Sequence, residues 1–279
     1  MAYFYSQTLM GAGHMGVRMI GRLFLVSAML LCATGLAQAQ QKSRLTTIQE
    51  TNKIRVGTTG DFNPMSFRDP TTRELKGHQI DVANQLAKDM GVAIEFVPTD
   101  WRTLINGIIA NQYDVVITGT SMSVARAKAV GFTIPWGKNA FVPLVDKANA
   151  AKYKNWDSLN DPSVTVAFNL GTTMEQFVAR DLPKAKVRRV ESPARDWQEL
   201  ISGRVDVTIT SLIEGAALTD QYPQLQMLFT DTPRNGIPMS LITAIDDVVF
   251  LNFLNNWIRI RTADGWFDET NKKWKLTGQ

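Results

Sequence analysis

The chain has 279 residues, with 30 basic against 26 acidic side chains, two histidines and one cysteine. That length allows one or two domains with a sizeable core, and a net charge of +4 with the two signs interspersed is too weak to argue for nucleic acid. One cysteine excludes an internal disulfide, and two histidines leave no catalytic triad and no His/Asp/Glu cluster at metal-ligand spacing, so neither a metal nor a cofactor is expected.

In chain order, Arg18 and Arg22 precede an apolar run over 23–36, and Ala37-Gln38-Ala39 follows with small residues. This is the order of a secretory signal peptide. The run is shorter than the ~20 residues of a spanning helix, so residues 1–39 are expected to be cleaved after Ala39 and the mature protein to occupy the periplasm. Cys32 falls inside this segment, and Leu31 before it is not the small residue a lipoprotein signal needs. The mature chain then has no cysteine, a single histidine (His78), and 28 basic against 26 acidic residues, a net +2.

Beyond the signal, strand-like and helical patterns alternate. Residues 53–59 read as a strand, 80–90 as a helix stopped at Gly91, 92–97 as a strand, 101–111 as a helix and 113–119 as a strand. A possible crossing segment occupies 141–145. The pattern restarts with strand 164–168, helix 173–182, strand 186–190, helix 195–202, strand 205–210 and a helix from Ser211. A third block returns with strand 237–243 and a long helix over 247–261. Repeated βαβ order argues for an α/β fold of mainly parallel sheets flanked by helices.

The second unit is inserted in the first, which predicts two lobes joined by two crossing segments: lobe 1 from 40–138 and 238–279, lobe 2 from 139–237 with the hinge segments. Stretches 136–143 and 230–238, with Gly, Pro or Asn, are the candidate hinges. Ligands of such sheets sit outside the carboxyl ends of the strands, so a cleft between lobes would collect residues from both.

"RVGTTGDFNPMSFR", "GHQIDVANQLAKDMG", "TDWRTLINGIIANQYDVVITGTSMSVARAKAVGFTIPW", "NLGTTMEQF" and "SGRVDVTIT" resemble, in order and over nearly the whole mature chain, the periplasmic solute-binding proteins of family 3, the polar amino-acid type. The resemblance implies the type II periplasmic binding protein fold with a central ligand cleft; it does not by itself imply transport, and delivery of a small solute to an ABC transporter permease is the expected role only if the site binds one. It implies that Arg126, after "TGTSMSVA", grips a ligand carboxylate, a task suited to the guanidinium fork. The other reading of Arg126 is a solvated helix arginine.

Gly171, Thr172 and Thr173 open a helix after a strand, where free amides attract anions and a threonine can also serve as a plain cap. Thr118, Gly119, Thr120 and Ser121 offer a comparable polar edge, so an acidic ligand is expected. Asp61, Phe62 and Trp101 fall where the family has one pocket wall, although a tryptophan is as often core. Ser211 stands where amino-acid binders carry an Asp for the α-ammonium, which favours a carboxylate ligand without obligatory ammonium recognition.

A narrower resemblance is to the secreted cyclohexadienyl dehydratases, which convert prephenate or arogenate by loss of carbon dioxide and water. "TTGDF", "PTDW", "FNLGTT" and the Glu of "ITSLIEG" match that pattern. It implies Glu214 as general acid, with Asp61, Trp101, Arg126 and Asn169 at other site positions. A glutamic acid needs apolar surroundings to keep its proton near neutrality, which Phe62, Phe141 and Trp101 are expected to supply. Three positions depart from the pattern: Phe62 replaces a tyrosine, Phe141 a lysine and Ser211 an Asp.

Ser211 and Glu214 also have capping-box spacing, a purely structural use for the pair. The expected function is therefore binding of a small carboxylate or amino-acid-like solute, with the carbon–oxygen lyase as the alternative. A receptor-type sensor domain is a third class, disfavoured because no membrane-spanning segment follows the lobes.

Overall fold

The computed structural model describes residues 42–276, so the expected signal peptide, with Arg18, Arg22, Cys32 and Ala39, lies outside the described residues. A helix over Arg44–Thr51 leads into β1 (Lys53–Thr58). There follow β2 (Asp61–Phe62), β3 (Ser66–Arg68), β4 (Leu75–Lys76), a helix over His78–Met90, β5 (Ala93–Pro98) and a short helix over Leu104–Ile109. Then come β6 (Val115–Val116), one helical turn over Val124–Ala127, β7 (Val130–Phe132) and the long β8 (Gly137–Asp146). The inserted part runs β9 (Thr165–Asn169), helix Thr173–Asp181, β10 (Lys186–Val190), helix Asp196–Ile201, β11 (Val207–Ser211), helix Leu212–Gln221, β12 (Leu225–Met227) and β13 (Arg234–Met239). The chain returns through β14 (Ile242–Ala244) and ends with helices Val248–Ala263 and Trp266–Lys273.

Two lobes result, each an α/β unit around its own sheet. One sheet has the order β5-β1-β6-β14-β7, with β5, β1 and β6 parallel and β14 antiparallel to both neighbours. The other has the order β10-β9-β11-β8-β12, with β10, β9 and β11 parallel, and β8 antiparallel to β11, β12 and β13. A β2-β3-β4 meander packs beside the first sheet. The crossing segments are β8 and β13, paired from Gly137↔Met239 onward.

Apolar periodicity accounts for the cores. In the helix His78–Met90, Val82, Ala83, Leu86 and Ala87 are buried against Ile54, Val56 and Val115 of the first sheet and against Phe250, Leu254 and Trp257. Val166 and Phe168 of β9, Val207 and Ile209 of β11, and Phe177 and Val178 make the second core. A fully buried large side chain of this kind contributes about 1.5–3 kcal/mol. Gly91 closes the first long helix in the left-handed conformation that favours glycine.

Three expectations are corrected. The strand expected over 237–243 is two: Met239 pairs with Gly137 in the crossing ribbon, whereas Ile242 pairs with Phe132 and Val116 in the first sheet. Between them Ser240 donates its amide to Thr120 and Leu241 to the Thr133 hydroxyl, so the backbone leaves one ladder before joining the other. The helix expected from Trp101 begins at Leu104, because Asp100 Oδ1 draws the amides of Arg102 and Thr103 into a turn. Phe141 faces the second core, edge-on to Phe177 at 5.5 Å between ring centroids, and does not surround Glu214 as expected.

Candidate functional site

Six parallel strands of the two sheets end on one cleft. After β1 come Asp61 and Phe62, after β5 Trp101, and after β6 Thr118–Ser121; Asn169 ends β9 and is followed by Gly171–Thr173, Arg195 and Asp196 follow β10, and Ser211 ends β11 and is followed by Glu214. Carboxyl ends of parallel strands are where such sheets hold ligands. A cavity of about 40 Å³ lies here, lined by Phe62, Trp101, Gly119, Ser121, Arg126, Asn139, Asn169, Thr172, Thr173, Met174, Arg195, Asp196, Ile209 and Glu214.

The Ser123 hydroxyl caps the turn that carries Arg126 by accepting the Arg126 amide at 3.2 Å. The Arg126 guanidinium donates to the carbonyl of Ser121 at 2.9 Å and, across the cleft, to that of Gly171 at 2.7 Å. Only 9% of this residue is exposed. Among the described residues no carboxylate forms an ion pair with it, and burial pulls its pKa down to about 10. The solvated-arginine reading fails: this is a buried cation held by dipoles alone, in a cavity wall. A carboxylate is the group that best completes it.

Gly171 has φ +79°, and a Cβ there would lie 2.5 Å from the Trp101 carbonyl oxygen and 2.6 Å from the Arg102 nitrogen. The two lobes therefore meet backbone to backbone, which only glycine permits. The helix start is less open than expected. The Gly171 amide donates to Glu175 Oε2 at 3.1 Å, and the Thr172 hydroxyl turns back to the Asn169 carbonyl at 2.6 Å. Neither threonine caps the helix with its side chain.

At the other end Arg195 donates one Nη to Asp61 and the other to Glu214, both at 2.6 Å. Trp101 Nε1 steadies Asp61 from 3.1 Å and stands edge-on to Phe62 at 6.0 Å. The Thr210 hydroxyl donates to the second Glu214 oxygen at 2.9 Å. Burial pushes the Glu214 carboxyl up to about 7; Arg195 and Thr210 oppose the rise, while Asp196 and Asp61 add to it. Burial works against the Arg195 charge, but Glu214, Asp61 and Asp196 outweigh it and hold its pKa above the ordinary value. Asp196, raised by burial, accepts the Thr208 hydroxyl and the Trp197 amide.

Only half of the Ser211–Glu214 capping box forms. Ser211 Oγ accepts the Glu214 amide at 3.0 Å, but the Glu214 carboxyl is used on Arg195 and Thr210. Of the sequence-derived candidates, Phe62, Trp101, Ser121, Arg126, Asn169, Thr172, Thr173 and Glu214 line the cavity. Asp61 stands behind Trp101 and Arg195, and Gly171 contributes its carbonyl to Arg126.

Neither Asp61 nor Gly171 is in the lining itself, and three further candidates are also outside it. Thr118 is spent on Ser66 at 2.6 Å and Thr59 at 2.9 Å, Thr120 is fully buried, and Ser211 serves the helix end. Asn169 lines it but directs its amide to the carbonyls of Val190 and Ala194, bracing the loop that carries Arg195.

Sequence reasoning missed Arg195, Asp196, Asn139, Met174 and Ile209. "ARDW" read as an ordinary helix start; the strand-end rule applied to β10 as to its neighbours would have singled out Arg195 and Asp196.

A sequence profile of the bacterial extracellular solute-binding proteins, family 3, matches residues 54–277. Cyclohexadienyl dehydratase of Pseudomonas aeruginosa is 27% identical over 251 residues, covering 89% of this chain and 92% of that protein. The L-cystine-binding protein TcyJ of Escherichia coli K12 is 25% identical over 259 residues, covering 91% and 96%. The crystal structure of an ancestral amino acid-binding protein, a precursor of cyclohexadienyl dehydratase, superposes with a TM-score of 0.78 at 36% identity, covering 83% of this chain and 99% of that one.

Proposed function

The chain belongs to the bacterial extracellular solute-binding proteins, family 3, and from that premise we propose that it is a periplasmic protein, exported by a signal peptide cleaved after Ala39, that binds a small carboxylate or amino-acid-like solute in the cleft and delivers it to an ABC transporter permease. The observation that carries this is Arg126, a buried guanidinium with only carbonyl partners and no ion-paired carboxylate among the described residues. A bound carboxylate supplies the missing charge, with Phe62 and Trp101 against the ligand body. A calorimetric screen of amino acids and organic acids tests it: the ligand found should bind more than about tenfold weaker to Arg126→Ala. An unchanged dissociation constant would remove Arg126 from the site.

One observation favours a second reading. Glu214 is a cavity carboxyl that burial pushes up to about 7, where an acid can still donate a proton at neutral pH. In a prephenate or arogenate dehydratase it would protonate the departing hydroxyl as the C–O bond breaks. The ring carboxylate leaves as carbon dioxide, and its bonding pair completes the aromatic ring. Arg195 supports this too, because it returns a cation to the neighbourhood of the acid that Phe141 does not supply. The same contact, however, favours the ionised carboxylate, so binding is the stronger reading. Incubation with prephenate, followed by phenylpyruvate absorbance, separates the two: turnover lost in Glu214→Gln establishes the lyase, and none in the wild type removes it.

A further inference from the structure

The acidic end of the cavity already contains a cation, and it belongs to the protein. Asp61 from one lobe and Glu214 from the other converge on separate Nη atoms of Arg195. Trp101 fixes the first carboxylate and Thr210 the second, and Asp196 adds a third carboxyl to the same lining. A guanidinium or ammonium group of a ligand would ask for this arrangement: two carboxylates from opposite walls, each held by a neutral donor. The Arg195 backbone is anchored as well, its amide donating to Gln198 Oε1 at 3.0 Å.

We propose that Arg195 is a specificity-determining residue, which fills the acidic subsite with its own guanidinium and so excludes cationic amino acids from the cleft. What remains for a ligand is the free charge of Arg126 and a wall where Asp61 and Glu214 are already engaged by Arg195. The protein then admits solutes with a carboxylate at one end and an uncharged or anionic remainder. A basic side chain entering beside Arg195 would meet a like charge in a site shielded from water. Displacing Arg195 would break two charge-assisted hydrogen bonds at once. The carboxylate half of this statement rests on the reading of Arg126 given above; the exclusion of cations rests on Arg195 alone.

The test compares wild type, Arg195→Ala and Arg195→Lys, with methylguanidinium chloride and L-arginine as probes and sodium chloride as the ionic-strength control. Methylguanidinium at tenfold its dissociation constant is expected to raise the Tm of Arg195→Ala by about 3 °C or more. Wild type and Arg195→Lys should follow the salt control. L-arginine should bind Arg195→Ala at least about tenfold more tightly than wild type. Wild type that binds L-arginine as tightly as Arg195→Ala overturns the proposal, as does an Arg195→Ala that gains nothing from methylguanidinium.

If Arg195→Ala does not fold, Arg195→Ala combined with Glu214→Gln removes one of the exposed charges and carries the same probes, read by the same criteria. A wild type that binds no carboxylate would refute the Arg126 reading and leave the methylguanidinium result standing, so the two failures are separable.

Discussion

Arg126 and Arg195 are buried almost equally, at 9% and 8% exposure, yet their charges are met in opposite ways. Arg126 has two carbonyl oxygens, one from each side of the cleft. Arg195 has two carboxylates, again one from each side. A buried cation without a counter-ion is costly unless something arrives to neutralise it, whereas a buried cation between two acids has its charge met from within the protein. The contrast divides the cleft into a vacant electrostatic role and an occupied one, which a description of the pocket by shape alone would miss.

The sharpest way to break this contrast is to unbalance the occupied end. Arg195→Met leaves Asp61 and Glu214 facing each other and is expected to destabilise the fold by about 3–5 kcal/mol, read from urea unfolding. Adding Glu214→Gln should recover part of that loss, and additive effects of the two changes would mean the pair is not coupled. Next in size, Arg126→Ala should leave unfolding nearly unchanged while weakening the carboxylate ligand more than about tenfold. A large stability loss with no affinity loss would reverse the roles assigned to the two arginines.

Protonation sharpens the comparison further. The Glu214 carboxyl holds its proton up to about 7 in the native state against an ordinary 4.5. Its contribution to stability is therefore full below 4.5 and is lost as pH rises toward 7. His78, stacked on Trp136 and pulled down to about 4 by burial, acts with the opposite sign, adding stability as pH rises from 4 through 6.5. The Tm difference between wild type and Glu214→Gln cancels the histidine and should fall across pH 4.5–7; a flat difference would place Glu214 outside this balance. The smallest effect belongs to the exposed Arg102–Glu191 pair across the cleft mouth, 56% and 60% exposed. Arg102→Ala should change ligand affinity less than about fivefold, as surface ion pairs contribute at most about 1 kcal/mol.

Much of this was legible in the sequence where a local pattern had one structural solution. The strand over Lys186–Val190 and the helix starting at Thr173 lie where apolar spacing puts them, and "TSMSVAR" leads to Arg126 because a serine cap and a short helix place it. The split between β13 and β14 was not legible, since Ile237-Pro238-Met239 at the end of one and Ile242 at the start of the other are alike apolar, and alternation carries no information about which sheet a strand joins. Arg195 was hidden for a different reason. Its partners, Asp61 and Glu214, are 134 and 19 residues away, and no local signal distinguishes an arginine that will meet two acids from one that will meet water. Thr118 misled in the reverse direction, a polar residue at a strand end whose hydroxyl closes a bond with Ser66 instead of facing the cleft.

Gly171 gives the cleft a hard stop. Where its Cα faces the Trp101 carbonyl and the Arg102 amide there is no side chain to rotate aside, so the closest approach of the lobes is set by main-chain atoms of fixed size. The depth of the cavity is thus a constant of the backbone, and Arg126, bonded to the Gly171 carbonyl itself, is tied to that gauge. A solute too tall for it must part the Gly171 carbonyl from Arg126 before it can use the charge. The contact that holds Arg126 thus also fixes the spacing of the two walls beside it.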